Sequence, residues 1–195
     1  MPKQKEAPAG RQAKSAKSGT RDTTGLRRGP KRWKKLPLSK AVVVVDEANC
    51  LGCRTCEAVC SLYHEGVVSP ELSRILVVKD WTKPNTMDVA FDPVLCEQCV
   101  DAPCLQSCPT GALQIDNRTH ARVIDPALCI GCHECEKACP FTPPRIRFNQ
   151  AGKAIKCDLC GGDPQCVRFC HEKALRYICD DSGIAWSGYP VTKGV

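Results

Sequence analysis

The sequence predicts an α+β fold assembled from four copies of one small unit and stabilised by bound metal more than by an apolar core. Three observations lead there. Cysteine occurs 17 times in 195 residues while aromatics make up 5%. That is too many thiols for an ordinary core and too few rings for a large one, so disulfides or metal must supply what apolar burial does not. Sixteen of the cysteines fall into four quartets of similar spacing, and the segments flanking the quartets repeat as well.

The chain opens with a basic tail. Residues 1–40 hold 13 Lys/Arg against 2 Asp/Glu, a net +11, and the remainder carries −4. With Gly, Ala, Ser and Pro abundant and Trp33 its one aromatic, the tail buries too little apolar surface to offset its ordering entropy. It is expected to be disordered in isolation or docked on an acidic partner surface. The acidic remainder argues against nucleic acid as the partner. Arg27 and Arg28 form a twin arginine, but Lys31, Arg32, Lys34 and Lys35 follow where an export signal would turn apolar. No stretch approaches the roughly 18 apolar residues of a membrane span. The expected location is the cytoplasm, where thiols stay reduced and clustered cysteines usually mean metal.

The quartets come next. Cys50, Cys53, Cys56 and Cys60 have the spacing C-x2-C-x2-C-x3-C, and Cys129, Cys132, Cys135 and Cys139 repeat it with Pro140 following. Cys96, Cys99, Cys104 and Cys108 lengthen the second gap to four residues and precede Pro109; Cys157, Cys160, Cys166 and Cys170 lengthen it to five and precede His171. Asp46, Asp92 and Asp125 each stand four residues before the first cysteine of a quartet, after the strand-like runs AVVVV, MDVAF and ARVI. PTGALQI and HEKALRYI follow quartets two and four. Each unit therefore reads as strand, cysteine loop, short helical turn, strand, the fourth cysteine starting the helix that leads away.

This spacing suits a [4Fe–4S] cubane. Each iron needs one thiolate, and a loop with two-residue gaps wraps three corners while its N–H groups face the sulfides; the fourth corner needs a distant ligand. Zinc fits less well, because a third cysteine two residues on is surplus to a tetrahedral site. Cys129-Ile130-Gly131-Cys132-His133 is formally a haem-attachment CxxCH, but it occurs once and the cubane run already explains it. His133 is expected at the surface near a cluster, His64, His120 and His171 carry no argument alone, and the leftover Cys179 is expected to be a small buried hydrophobe. No GxGxxG, P-loop or nucleophile–base constellation occurs, so no catalytic residue is expected.

The four quartets, with CDLCGGDPQC in the last, resemble the four-cluster ferredoxin-type electron-transfer subunits of molybdenum and tungsten oxidoreductases, the DMSO reductase and formate hydrogenlyase iron–sulfur subunit family. Over roughly residues 41–180 the likeness is to its compact members, above all the small iron–sulfur subunits accompanying tungsten aldehyde oxidoreductases and class II benzoyl-CoA reductases. The resemblance implies two nested bacterial-ferredoxin-like modules, each a pseudo-symmetric two-cluster unit. It implies four [4Fe–4S] clusters: one on Cys50, Cys53, Cys56 and Cys170; one on Cys96, Cys99, Cys104 and Cys139; one on Cys129, Cys132, Cys135 and Cys108; and one on Cys157, Cys160, Cys166 and Cys60. Ser61 and His171 stand where the family often has a proline after the last cysteine, which puts local loop geometry in question.

The organisation expected is then a basic tail at 1–40; an outer module at 41–65 plus 150–180; an insertion at 66–91 in which Ile75–Val78 and Met87–Phe91 pair as a hairpin around Lys83-Pro84-Asn85; an inner module at 92–149; and a C-terminal extension at 181–195. The function implied is non-catalytic electron relay, in a hetero-oligomer, between a catalytic subunit bearing a tungsten or molybdenum pterin and a flavin subunit or soluble ferredoxin. The alternative is a stand-alone polyferredoxin or maturation protein serving a hydrogenase, formate dehydrogenase or CO dehydrogenase.

Overall fold

Four consecutive valines, stiff at χ1 and suited to a pleated surface, open the folded body. A computed structural model describes residues 36–80 and 90–184; most of the basic tail, the turn of the expected hairpin and the last eleven residues lie outside them. Strand β1 (Ser39–Val45) pairs antiparallel with β8 (Leu175–Ile184). Between them run α1 (Thr55–Glu65), β2 (Leu76–Asp80) and β3 (Ala90–Val94), α2 (Pro103–Gln106), β4 (Leu113–Ile115), β5 (Arg122–Ile124), α3 (Glu134–Lys137), β6 (Arg147–Phe148), β7 (Ala154–Ile155) and α4 (Gln165–Arg168). Among the described residues there are four two-stranded antiparallel sheets: β1–β8, β2–β3, β4–β5 and β6–β7. This is a mixture of short helices and strands, as the repeated units of the sequence predicted.

Cysteines form part of the core. One apolar cluster joins Val43, Cys56, Cys60, Cys157, Cys166 and Leu175, with Val77 and Cys96 at its side. The other joins Leu105, Cys108, Leu113, Cys129, Cys135 and Ile146. The two halves repeat a backbone bond. Asp46 N donates to Ala174 O at 2.7 Å, and Asp125 N donates to Ala112 O at 2.8 Å. Each aspartate lies four residues before a quartet and each alanine four residues after one. Quartet one is thereby tied to the tail of quartet four, and quartet three to the tail of quartet two.

Three expectations need correction. The helical turn begins inside each quartet, before its last cysteine: Cys56, Cys104, Cys135 and Cys166 are each the second residue of their helix, four before the last cysteine. Residues 36–40, placed with the tail by charge, belong to the fold. Leu36 is buried in the second core, Lys40 N donates to Thr119 O at 2.8 Å and the Leu38 carbonyl meets His120 Nδ1 at 3.1 Å. The charge count did not register the apolar Leu36 and Leu38. Cys179 is exposed, not buried, although it stands opposite the buried Ala41 in the β1–β8 pair and on the strand face of the buried Leu175.

Helix α1 outlasts the other three, and Ser61 shows how. Its hydroxyl donates to the Glu57 carbonyl at 3.1 Å and accepts the Ser69 N–H at 3.0 Å. Glu57, fully buried, accepts the Val77 N–H on Oε1 at 2.6 Å, fastening the helix to β2. A proline at 61 would strip a helix hydrogen bond and clash with the preceding turn. Ser61→Ala is expected to cost about 1 kcal/mol through the lost acceptor, and Ser61→Pro about 3 kcal/mol or more. Denaturant unfolding of the cluster-loaded protein measures both; equal stability of the serine and proline forms would contradict this account of the helix.

Candidate iron–sulfur centre

The cysteine loops wrap because their backbone enters the left-handed region at a fixed position. The residue before the second cysteine has positive φ in every quartet: Gly52 (+68°), Gln98 (+52°), Gly131 (+71°) and Leu159 (+59°). Alternating right- and left-handed residues turn successive N–H groups toward one centre, a geometry that holds anions. Two of the four positions also need glycine for space. A Cβ on Gly131 would sit 2.4 Å from the Gly152 carbonyl oxygen, and one on Gly52 would meet the Phe91 ring at 2.5 Å.

Backbone amides reach the sulfurs themselves. Arg74 N approaches Cys60 Sγ at 3.3 Å, Arg145 N approaches Cys139 Sγ at 3.3 Å, Ala154 N approaches Cys129 Sγ at 3.4 Å and Gln98 N approaches Cys96 Sγ at 3.5 Å. All seventeen cysteines are free thiols.

The structure brings thiols together across the chain. One cavity is lined by Cys50, Cys53 and Cys56 with Cys170 from far downstream, and another by Cys129, Cys132 and Cys135 with Cys108. The Cys166 thiol feels the sulfurs of Cys60 and Cys160, and Cys104 those of Cys96 and Cys139. Contacts between these groups run in sequence: Cys166 also feels Cys56, Cys157 feels Cys96, and Cys135 feels Cys104. At the two ends of this series the chain is open. Cys53 and Cys132 are exposed, and beside them Leu51 and Ile130 show 67% and 61% of their surface.

These residues fit a [4Fe–4S] cubane on the chemistry of the donors: four soft sulfurs converge on one water-poor space, three from one loop, with N–H groups aimed at sulfur. Burial pushes the free thiols up, to about 12 at Cys56, Cys99 and Cys135 and to about 11 at Cys104 and Cys160. Cys108 is the counter-example. Burial works against its thiolate, but N–H groups of Leu113, Thr110 and Ala112 and the Thr110 hydroxyl hold it below the ordinary thiol value.

The sequence reading passed over four residues that touch these loops. His64 Nε2 lies 3.5 Å from Cys160 Sγ and 3.4 Å from Asp158 Oδ1. Gln98, Arg122 and Lys156 are all buried between quartets two and four. Burial works against the Lys156 ammonium, and the neighbouring Cys96 and Cys104 sulfurs hold its pKa above the ordinary lysine value. Nothing in linear spacing signals these contacts, since His64 and Cys160 are 96 residues apart. His133 is half exposed as expected; it stacks on Phe148 at 3.7 Å and pairs with Glu136 at 2.8 Å.

Four-thiol loops of this geometry define an iron–sulfur protein, and comparison with known proteins narrows the class. The 4Fe-4S dicluster domain family matches residues 87–179. The chain is 45% identical over 130 residues to the polyferredoxin-like subunit of aliphatic sulfonate oxidoreductase from Pyrococcus furiosus, covering 67% of this chain and 71% of that protein. It is 34% identical over 148 residues to the thiosulfate reductase electron transfer subunit PhsB of Salmonella typhi, covering 70% and 74%. The active site complex BamBC of benzoyl coenzyme A reductase aligns at 25% identity over 71% of this chain and 78% of that one, with a TM-score of 0.41. The chain belongs to the family of [4Fe–4S] ferredoxin-type electron-transfer subunits of oxidoreductases, and [4Fe–4S] clusters are its cofactors.

The raised thiol pKa values set a sign for loading. At neutral pH the buried free thiols are protonated; iron binds thiolate, so loading releases protons and is favoured as pH rises. Reconstitution of the metal-free chain with iron and sulfide is expected to go further at about pH 8.5 than at about pH 6.5, read from the iron retained after desalting. Equal iron at both pH values would count against proton-coupled loading.

Proposed function

We propose that the chain holds four clusters on sixteen cysteines in two nested modules and relays electrons for a tungsten- or molybdenum-pterin oxidoreductase subunit. The outer module spans 41–65 plus 150–180, the inner module 92–149, and the segment at 66–91 braces them or docks a partner. The ligand sets are Cys50, Cys53, Cys56 with Cys170; Cys157, Cys160, Cys166 with Cys60; Cys96, Cys99, Cys104 with Cys139; and Cys129, Cys132, Cys135 with Cys108. The observation that carries this reading is the meeting of Cys170 with Cys50, Cys53 and Cys56 around one cavity.

Bound there, the clusters supply reversible one-electron transfer, at potentials within about −700 to +450 mV set by N–H donors, burial and charge. The chain's own part is to supply thiolates, exclude water and aim amides at sulfur. The thiol contacts support the order quartet one, four, two, three, with the exposed Leu51 and Ile130 beside the terminal sets as the faces toward two redox partners. One partner is the catalytic subunit, and the other a flavin subunit or soluble ferredoxin, in a cytoplasmic hetero-oligomer. The relatives support an oxidoreductase partner, since one serves an aliphatic sulfonate oxidoreductase and another a thiosulfate reductase. No helix among the described residues is long and apolar enough to cross a membrane. The +11 tail supplies a basic surface for docking on an acidic partner.

Anaerobic affinity capture of the chain from its native cells is expected to bring down a subunit containing tungsten or molybdenum and a pterin. Recovery of the chain alone, or with a nickel hydrogenase, would replace this reading with the stand-alone alternative. The nested sets are tested separately. Wild-type protein should carry about sixteen irons, and Cys170→Ala should lose the cluster of Cys50, Cys53 and Cys56 while the loop of Cys157 keeps its own. Loss confined to the Cys157 loop would mean that each quartet is self-contained.

A further inference from the structure

Lys156 stands where quartets two and four meet, and no acid among the described residues pairs with it. The residue is 3% exposed. Its ammonium donates to the Arg122 and Cys157 carbonyls and lies near the Cys96 and Cys104 sulfurs. Among the described residues it forms no ion pair with a carboxylate. An ammonium taken out of water and met only by carbonyls keeps a large desolvation cost unless anionic charge lies close by. The groups in reach that become anionic are the thiolates of quartets two and four.

Arg122 reinforces the arrangement from the quartet-two side. It is 1% exposed, donates from Nη1 to the His120 carbonyl at 2.8 Å, leaves Nε without a hydrogen-bond partner, and lies near Cys96, Cys99, Cys104 and Asp101. Gln98 closes the partition. Its amide nitrogen donates to the Cys157 carbonyl at 3.1 Å and its side-chain oxygen accepts the Arg122 N–H at 2.8 Å. The terminal quartet one has the opposite surroundings: Cys50 feels the Asp92 carboxylate and Cys53 that of Glu172.

We propose that Lys156, supported by Arg122, is the counter-ion of the two central clusters, those on quartets two and four, and raises their reduction potentials above that of the terminal cluster on quartet one. The inference rests on the ligand sets given above. Each electron taken up adds one negative charge to a cluster. A fixed cation in a water-poor site therefore stabilises the reduced form more than the oxidised one, and the potential rises. Two adjacent central sites made easier to reduce by one cation hold a pair of electrons in the middle of the chain, ready for a partner whose chemistry consumes two at once.

The test is an anaerobic redox titration of the full, cluster-loaded chain, followed by electron paramagnetic resonance, with iron measured on every sample. Lys156→Gln is expected to move two of the four midpoint potentials to more negative values and leave the other two in place. Lys156→Arg should return them toward wild type, and Arg122→Gln should lower one potential only. Four unchanged potentials in an iron-replete Lys156→Gln protein, a uniform shift of all four, or failure of arginine to restore the potentials would overturn the proposal. If Lys156→Gln does not load, Arg122→Gln decides: one lowered potential supports the electrostatic role and none overturns it. A wild-type iron content well short of about sixteen per chain breaks the ligand assignment instead, and is read before any variant is titrated.

Discussion

A single loop wraps only three corners of a four-cornered site, and the rest of this structure follows from that constraint. Once the turn before the second cysteine is left-handed, three sulfurs and their neighbouring amides converge. The last cysteine of quartets one and three, four residues beyond the third, does not line the cavity of its own loop. In the two cavities with four lining thiols, Cys170 and Cys108 are contributed by a different quartet from the other three. The sheets obey the same demand. β1 meets β8 and β4 meets β5, each joining the strand that enters one quartet to the strand that leaves another.

Electrostatics differentiates units that topology makes equivalent. Burial raises most of the free thiols, whereas amides and a hydroxyl lower Cys108. The middle of the thiol series is flanked by Lys156, Arg122 and His64, and the quartet-one end by Asp92 and Glu172. A repeated scaffold thus acquires unequal sites through residues outside the repeat. The same holds at the residue after the first cysteine, where quartets one and three expose the apolar Leu51 and Ile130.

The mixture of short helices and strands and the repeated turn of the cysteine loops were legible in the sequence because thiol spacing is a local code that backbone geometry obeys directly. The β1, β4, β5 and β8 strands were legible for the same reason: runs such as AVVVV and ALQI carry their preference in their own residues. What spacing does not encode is contact between distant segments. Lys156 looks like one more surface lysine until the fold buries it against Cys96, and Cys179 looks like a core thiol although the fold leaves it exposed. The helix boundaries were misjudged because a turn of four residues, such as Pro103–Gln106, is too short for periodicity to register.

The pairing of the first strand with the last has a consequence for how the molecule is made. A chain leaves the ribosome from its N-terminus at roughly 5–20 residues per second. The β4–β5 and β6–β7 pairs join segments synthesised close together, so they can form while the remainder is still being added. β1 emerges early but waits for Leu175–Ile184, almost the last part of the described chain, before it has a partner. Until then its valines and the thiols of Cys50, Cys53 and Cys56 stand open to aggregation, oxidation and stray metals. Pairing the first strand with the last therefore imposes an order of birth: the inside is finished first, and the strand that opens the sheet waits longest for protection.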